Sequence, residues 1–182
     1  MRVPVIIRTA ALAIAVSAGS GSEAGSARFV LQPGVTLETG DSWTTMEGRH
    51  YRLYGVQACL RGSVYVDRSG KRRDCGDASL AVLGAYVRDT RPSCAVLFTT
   101  ADTTFVACSA TVGPDRLDLA GLLIGSGFAF AAVGVDGLPQ YAPYAVVEQM
   151  ARDRKVGLWQ FGDVQHPAFL LARARHDEGG AK

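Results

Sequence analysis

The sequence has almost no excess charge of one sign: 19 Lys and Arg face 17 Asp and Glu, a formal net charge of +2 over 182 residues. Nucleic-acid binding that rests on bulk charge draws on many clustered cations, so a general basic field is excluded and any polyanion site must be local. Histidine is scarce, and His50, His166 and His176 stand in no triad or metal spacing. No two of the four cysteines form a Cys-x-x-Cys pair, which disfavours structural zinc. After residue 18 no apolar run approaches the roughly 20 residues a bilayer span needs. Internal repeats are absent as well. With 48% hydrophobic and 20% charged residues, the composition is that of one globular domain.

What is present begins with an export signal. Arg2 and Arg8 supply positive charge, residues 9–16 form a short apolar core, and Val16-Ser17-Ala18 fits the small-x-small cleavage rule. Residues 1–18 therefore read as a secretory signal peptide and residues 19–28 as a tether rich in Gly and Ser. Loss of Arg2 and Arg8 leaves 17 basic side chains against 17 acidic ones, and the expected location is periplasmic or secreted. Cys59, Cys75, Cys94 and Cys108 lie beyond the signal, where an oxidising compartment lets them pair and leaves no free thiol as a nucleophile. Three pairings are possible. Cys59 with Cys75 and Cys94 with Cys108 are favoured, because each closes a loop of about 15 residues, worth roughly 3 kcal/mol in the chain-entropy model.

Residues 29–59 alternate β-branched and aromatic side chains between Gly34, Gly40, Gly48 and Gly55, which predicts a strand meander. Residues 61–74 read as a polar loop carrying Arg61, Arg68, Lys71, Arg72 and Arg73, a possible polyanion contact offset by Asp67 and Asp74. Helical spacing of apolar residues follows over 74–87. Residues 94–98 and 104–108 predict a hairpin with cysteines at its outer ends. A short helix is expected over 116–124, stopped by Gly125 and Gly127, and then an apolar strand. Pro143 opens the clearest helix, whose expected buried stripe is Tyr144, Val147, Met150 and Ala151, with Gly157 ending it and Leu158-Trp159 plugging the core. The tail, 163–182, carries His166-Pro167 and a further short helix.

Several of these runs occur in an order similar to the thermonuclease, or staphylococcal nuclease-like, family. Thr39-Gly-Asp-Ser42 resembles that family's Asp-Gly-Asp-Thr, and Tyr51-Arg-Leu-Tyr-Gly-Val-Gln-Ala58 its Arg-Leu-x-Gly-Ile-Asp-Ala-Pro-Glu run. Cys75-Gly-Asp-Ala78 resembles the Cys-Gly-x-Ala that opens the first helix of many exported members, and Phe105-Val-Ala-Cys108, Gly127-Phe-Ala129 and Gly157-Leu-Trp159 follow in order. The resembling stretch runs from about Leu37 to Trp159. It implies an α+β fold: a small five-stranded OB-fold β-barrel with about three packed helices, here over residues 29–162.

Active members of that family hold Ca²⁺ with two Asp, place water with a Glu and neutralise the phosphate with two Arg. Carried over by position, Asp41 is one metal carboxylate and Arg52 one phosphate-binding Arg. Gln57 stands where the second Asp is expected, Leu60 where the Glu is, and Thr103, preceded by Ala101-Asp102, where the second Arg is. A neutral carbonyl weakens the hold on a hard dication. Leu60 cannot accept a proton, which removes about 10² to 10⁴ in rate, and a lost electrostatic donor about 10² to 10³ more.

Three function classes follow. The first is a non-catalytic, exported nuclease-like pseudoenzyme with no cofactor, binding other envelope or secreted proteins through surfaces such as 122–132 and 133–135. The second is a Ca²⁺-dependent phosphodiesterase whose site is rebuilt from Glu47, Asp67 or Asp102. The third is a single-stranded nucleic-acid binder using Tyr51, Tyr54 and Tyr65 as a stacking platform, against which near-neutrality counts. The first is the expected one.

Overall fold

The computed structural model describes residues 27–179, so the export signal and most of the tether lie outside the described residues. The chain is α+β, and its main sheet is built from short strands. Of the strands β1 (Arg28–Val30), β2 (Thr36–Thr39), β3 (Ser42–Thr44) and β4 (His50–Leu53), the last three form the expected meander, whereas β1 pairs with a later strand. After β5 (Val56–Ala58), β6 (Val64–Val66) and β7 (Arg72–Asp74) comes helix α1 (Cys75–Thr90), and then the hairpin β8 (Ser93–Thr99) and β9 (Thr104–Val112). β10 (Asp115–Asp118), α2 (Leu119–Gly125), β11 (Ala129–Ala131), α3 (Ala142–Asp153), a 3-10 turn over Gly157–Gln160 and α4 (Pro167–Gly179) complete the order. β1 begins at Arg28, inside the stretch read as tether.

The main sheet runs β1-β8-β9-β4-β3-β2, with β10 paired to β9. β4 and β9 are parallel; the other neighbours are antiparallel. The pairings end at β1 and β2 and do not close the sheet into a barrel. β4 shows how register sorts side chains: Tyr51 and Leu53 go to the core, His50 and Arg52 to the opposite face.

The core lies between this sheet and helices α1 and α2, around the fully buried Trp43, Leu53, Leu83, Val106, Leu119, Leu123 and Ile124. A second cluster gathers Cys59, Cys75, Phe130 and Leu158. At 25 cal/mol per Å² of apolar surface, each such large side chain contributes about 1.5–3 kcal/mol. The disulfides pair as favoured, Cys59 with Cys75 and Cys94 with Cys108. Cys94 and Cys108 are direct cross-strand partners, so their bond locks the β8–β9 register. Gly40 allows the β2–β3 turn to sit on α1, since a Cβ there would lie 2.6 Å from that of Ser79. Buried Ser79 donates to the Phe128 carbonyl and accepts from the Cys59 N–H, joining α1 to the second cluster.

The structure corrects the sequence reading at several points. Residues 61–74 are not a plain loop but a hairpin, with Tyr65 packed on Phe161 and Gly70 at φ 79° in its turn. The stretch 115–118 extends β9 as a strand instead of opening a helix, because Asp118 is the N-cap, accepting the Gly121 N–H. On α3 Met150 is exposed, and Glu148 takes the buried position. Residues 122–132 are mostly interior, with Leu123, Ile124, Ala129, Phe130 and Ala131 inaccessible, so they are not a contact surface. Val135, in contrast, is almost fully exposed. Among the described residues no helix is long and apolar enough to cross a membrane.

Candidate functional site

The tight β2–β3 turn places Asp41 one residue before Ser42, and Ser42 is the register partner of Arg52. Asp41 is therefore drawn into the interior beneath the face that Arg52 occupies, with only 1% of its surface exposed. Arg52 Nε and Nη2 both reach Asp41 Oδ2, at 2.9 and 2.8 Å. The Thr39 hydroxyl donates to Asp41 Oδ1, and Ser42 Oγ lies 2.6 Å from Thr39 Oγ1, where it completes the chain as donor. Arg52 Nη2 also donates to Gln57 Oε1 at 2.9 Å, while Gln57 Nε2 donates to the Ala58 carbonyl at 3.1 Å. Asp41, Arg52 and Gln57 are thus brought together as one hydrogen-bonded network.

This donor set does not fit a dication. Both Asp41 oxygens already accept hydrogen bonds, the Gln57 carbonyl is taken, and the group between them is a guanidinium whose charge opposes a metal. Leu60 follows β5 half-buried, and its carbonyl accepts the Ser63 N–H. Thr103 closes the β8–β9 turn, where its carbonyl accepts from the Thr100 N–H and hydroxyl. Neither adds a base or a cation to Arg52.

The proposed substitutes sit in three separate turns. Glu47 lies in the turn between β3 and β4. Asp67 is committed to its own hairpin turn: the Ser69 hydroxyl first, then Arg73 and the Lys71 N–H, hold it far below that range. Asp102 is in the β8–β9 turn. Among the described residues no three His, Cys, Asp or Glu side chains gather to hold a metal. Of the basic group, Arg73 pairs with Asp67 at 2.8 Å and Arg61 stands 3.8 Å from Asp77, while Arg68, Lys71 and Arg72 point to solvent.

The three tyrosines do not form a platform. Tyr51 is buried, stacked 5.9 Å from Trp43 and packed on Phe29. Tyr65 packs on Phe161. Tyr54 belongs to another aromatic surface, edge-on to the exposed Phe98, which stacks on Phe105. Beside it a groove of about 600 Å³ is lined by Tyr54, Leu97, Tyr141 and Tyr144. Burial, and then the hydrogen bond to and charge of Asp118, push the Tyr144 phenol well above its usual range, which keeps it neutral and donating.

Sequence reasoning missed one polar pair altogether. Glu148 Oε2 accepts the buried Ala131 N–H at 2.7 Å and lies 3.3 Å from His166 Nε2. His166 Nδ1 accepts the Ala168 N–H at 3.1 Å, which assigns the ring proton to Nε2, facing the carboxylate. The available signal was the helical spacing Tyr144, Glu148, Ala151, an acid set within an otherwise core-facing stripe. No protein-family model matches this chain, and no curated protein matches it at a significant level.

Proposed function

We propose that this chain is an exported, non-catalytic module of the nuclease-like class, acting as a binding or structural subunit among cell-envelope or secreted proteins. One observation carries the reading: the Arg52 guanidinium lies between Asp41 and Gln57, with Nε and Nη2 bonded to them. That grip commits Nε and Nη2 and leaves Nη1 alone to meet a phosphoryl group, and Leu60 stands where the resemblance expects the water-placing acid. The proposed barrel draws support from the chain path. The two ends of the sheet, β1 and β2, are successive segments joined by residues 31–35, as the halves of one bent first strand would be. Paired cysteines favour an oxidising compartment. The surface offered to partners is the aromatic face of Leu97, Phe98 and Tyr141, each close to half exposed.

The test is phosphodiester cleavage by the oxidised protein from residue 19 onward, on single-stranded DNA and RNA, with and without millimolar Ca²⁺. The expected outcome is no cleavage above background and no Ca²⁺-induced rise in Tm. Ca²⁺-dependent cleavage that copurifies with the folded protein would overturn the proposal and return the search to a rebuilt phosphodiesterase site.

A further inference from the structure

A cavity of about 750 Å³ opens between the loop after β11, helix α3 and helix α4. Its volume falls within the roughly 300–1,000 Å³ of small-molecule sites. Gln57 and the buried Glu148–His166 pair form its inner end, and Val133, Val135, Phe169 and Leu171 give it apolar walls. Phe169 is 72% exposed and Val135 97%, an unusual amount of bare apolar surface beside one concavity.

The charge around the cavity is one-sided. Glu148, the acid that lines it, is already engaged by the Ala131 N–H and by His166. Arg152 and Arg175, both exposed, line the mouth together with His176. The Arg152 guanidinium carbon lies over the Trp159 ring, 4.4 Å from its centroid, a cation–π contact that does not use up the guanidinium N–H donors. Among the described residues no carboxylate pairs with Arg152 or Arg175. Apolar walls with two cations at the entrance are complementary to an apolar body bearing an anionic head.

We infer that this cavity is a binding site for a small amphipathic anion, its apolar part held between Val133, Val135, Phe169 and Leu171 and its head group on Arg152 and Arg175. The site is independent of the aromatic face and of the protein contacts proposed above. It also gives α4 a role, since without that helix the cavity loses its outer wall.

The probe is 1-anilinonaphthalene-8-sulfonate, an apolar ring system with an anionic head, titrated into the oxidised protein and competed with decanoate, 2-naphthoate, decanol and inorganic phosphate. Saturable binding is expected, with displacement by decanoate or 2-naphthoate according to whether the site takes a chain or a ring. Decanol should compete at least tenfold more weakly and phosphate not at all. Arg152→Gln and Arg175→Gln should each weaken the anion by about tenfold, the scale of one charge-assisted hydrogen bond. Ala172→Trp, placed on the exposed helix to fill the cavity, should abolish binding while the far-ultraviolet circular dichroism stays unchanged. Independently, the head group's arrival on Arg152 should alter Trp159 fluorescence, whereas Trp43 is sealed in the core. No saturable binding, decanol equal to decanoate, or binding that survives in folded Ala172→Trp would each overturn the proposal.

Discussion

Two buried carboxylates, Asp41 and Glu148, sit in regions that solve the same problem differently. Asp41 is closed in by Thr39 and Arg52, and Gln57 accepts a further bond from Arg52 Nη2. Glu148 is held by a backbone N–H and an imidazole, and the space beside it stays open to two cations, Arg152 and Arg175, with no carboxylate partner among the described residues. A network whose carboxylate oxygens and amide carbonyl are already taken has no acceptor to offer a metal; its worth is in fixing β2, β3 and β4 together. The Glu148 region fixes the tail to the domain and leaves concave volume over. Sequence resemblance draws attention to the first region, whereas unfilled space draws it to the second.

The sharpest way to break this comparison is to remove the cation from the closed network. Arg52→Ala leaves Asp41 buried with an uncompensated charge, and destabilisation of about 3–5 kcal/mol is expected from urea unfolding. Adding Asp41→Asn should recover a substantial part of that loss, since the remaining side chain is neutral. If Arg52→Ala costs less than about 1 kcal/mol, the scale of an exposed pair, the network is not the closed unit described here.

Most of the element order was legible because it rests on local signals. Gly40 and Gly48 mark the two turns of the meander, Asp74 precedes the apolar spacing of α1, and Pro143 opens α3. The disulfides followed from loop length alone. The β6–β7 hairpin was hidden because its strands are three residues each and carry exposed valines, so no alternation of buried side chains marks them. Asp41, Arg52 and Gln57 were recognisable as positions, but not that they bond to one another, which depends on the β3–β4 register and on which way a guanidinium turns. Glu148 and His166 are 18 positions apart with a turn between them, and no spacing rule joins residues across such a connection. Met150 was assigned to the core in place of Glu148 because hydrophobicity was weighed before helical phase.

A smaller effect sharpens the second region. His166→Ala removes the imidazole but leaves Glu148 on the Ala131 N–H, whereas Glu148→Ala leaves a buried N–H with no acceptor. An unsatisfied buried donor costs about 1–3 kcal/mol, so Glu148→Ala should be the more destabilising of the two. The His166 variant should instead loosen α4 alone, read as faster amide exchange over 167–177 with little change in β11. Equal global destabilisation by both would mean that the tail and domain unfold as one unit and that the cavity wall is no separable element.

The smallest effect calibrates both carboxylates against one that lies near solvent. Asp74 is the N-cap of α1, accepting the Asp77 N–H at 3.0 Å, and it also accepts the Gly62 N–H at 2.7 Å across the hairpin. Burial pushes its carboxyl up, but the N–H groups of Gly62, Asp77 and Gly76 and the charge of Arg61 outweigh that and hold it below the usual range. With the folded value depressed, its contribution is fully present above the unfolded value near 3.9 and is lost as pH falls through the folded one. Asp74→Ala should therefore cost about 1 kcal/mol at pH 7, the ordinary value of a helix cap. The difference in Tm between variant and parent should narrow as pH drops below about 4, because protonation removes from the parent what the mutation has already removed from the variant. Asp41 is shielded by its guanidinium and Glu148 by the core, and neither relies on exposed N–H donors alone. A gap that stays constant down to acid pH would show that the cap works through its neutral hydrogen bonds, and the three carboxylates would then differ in geometry and not in how their charge is held.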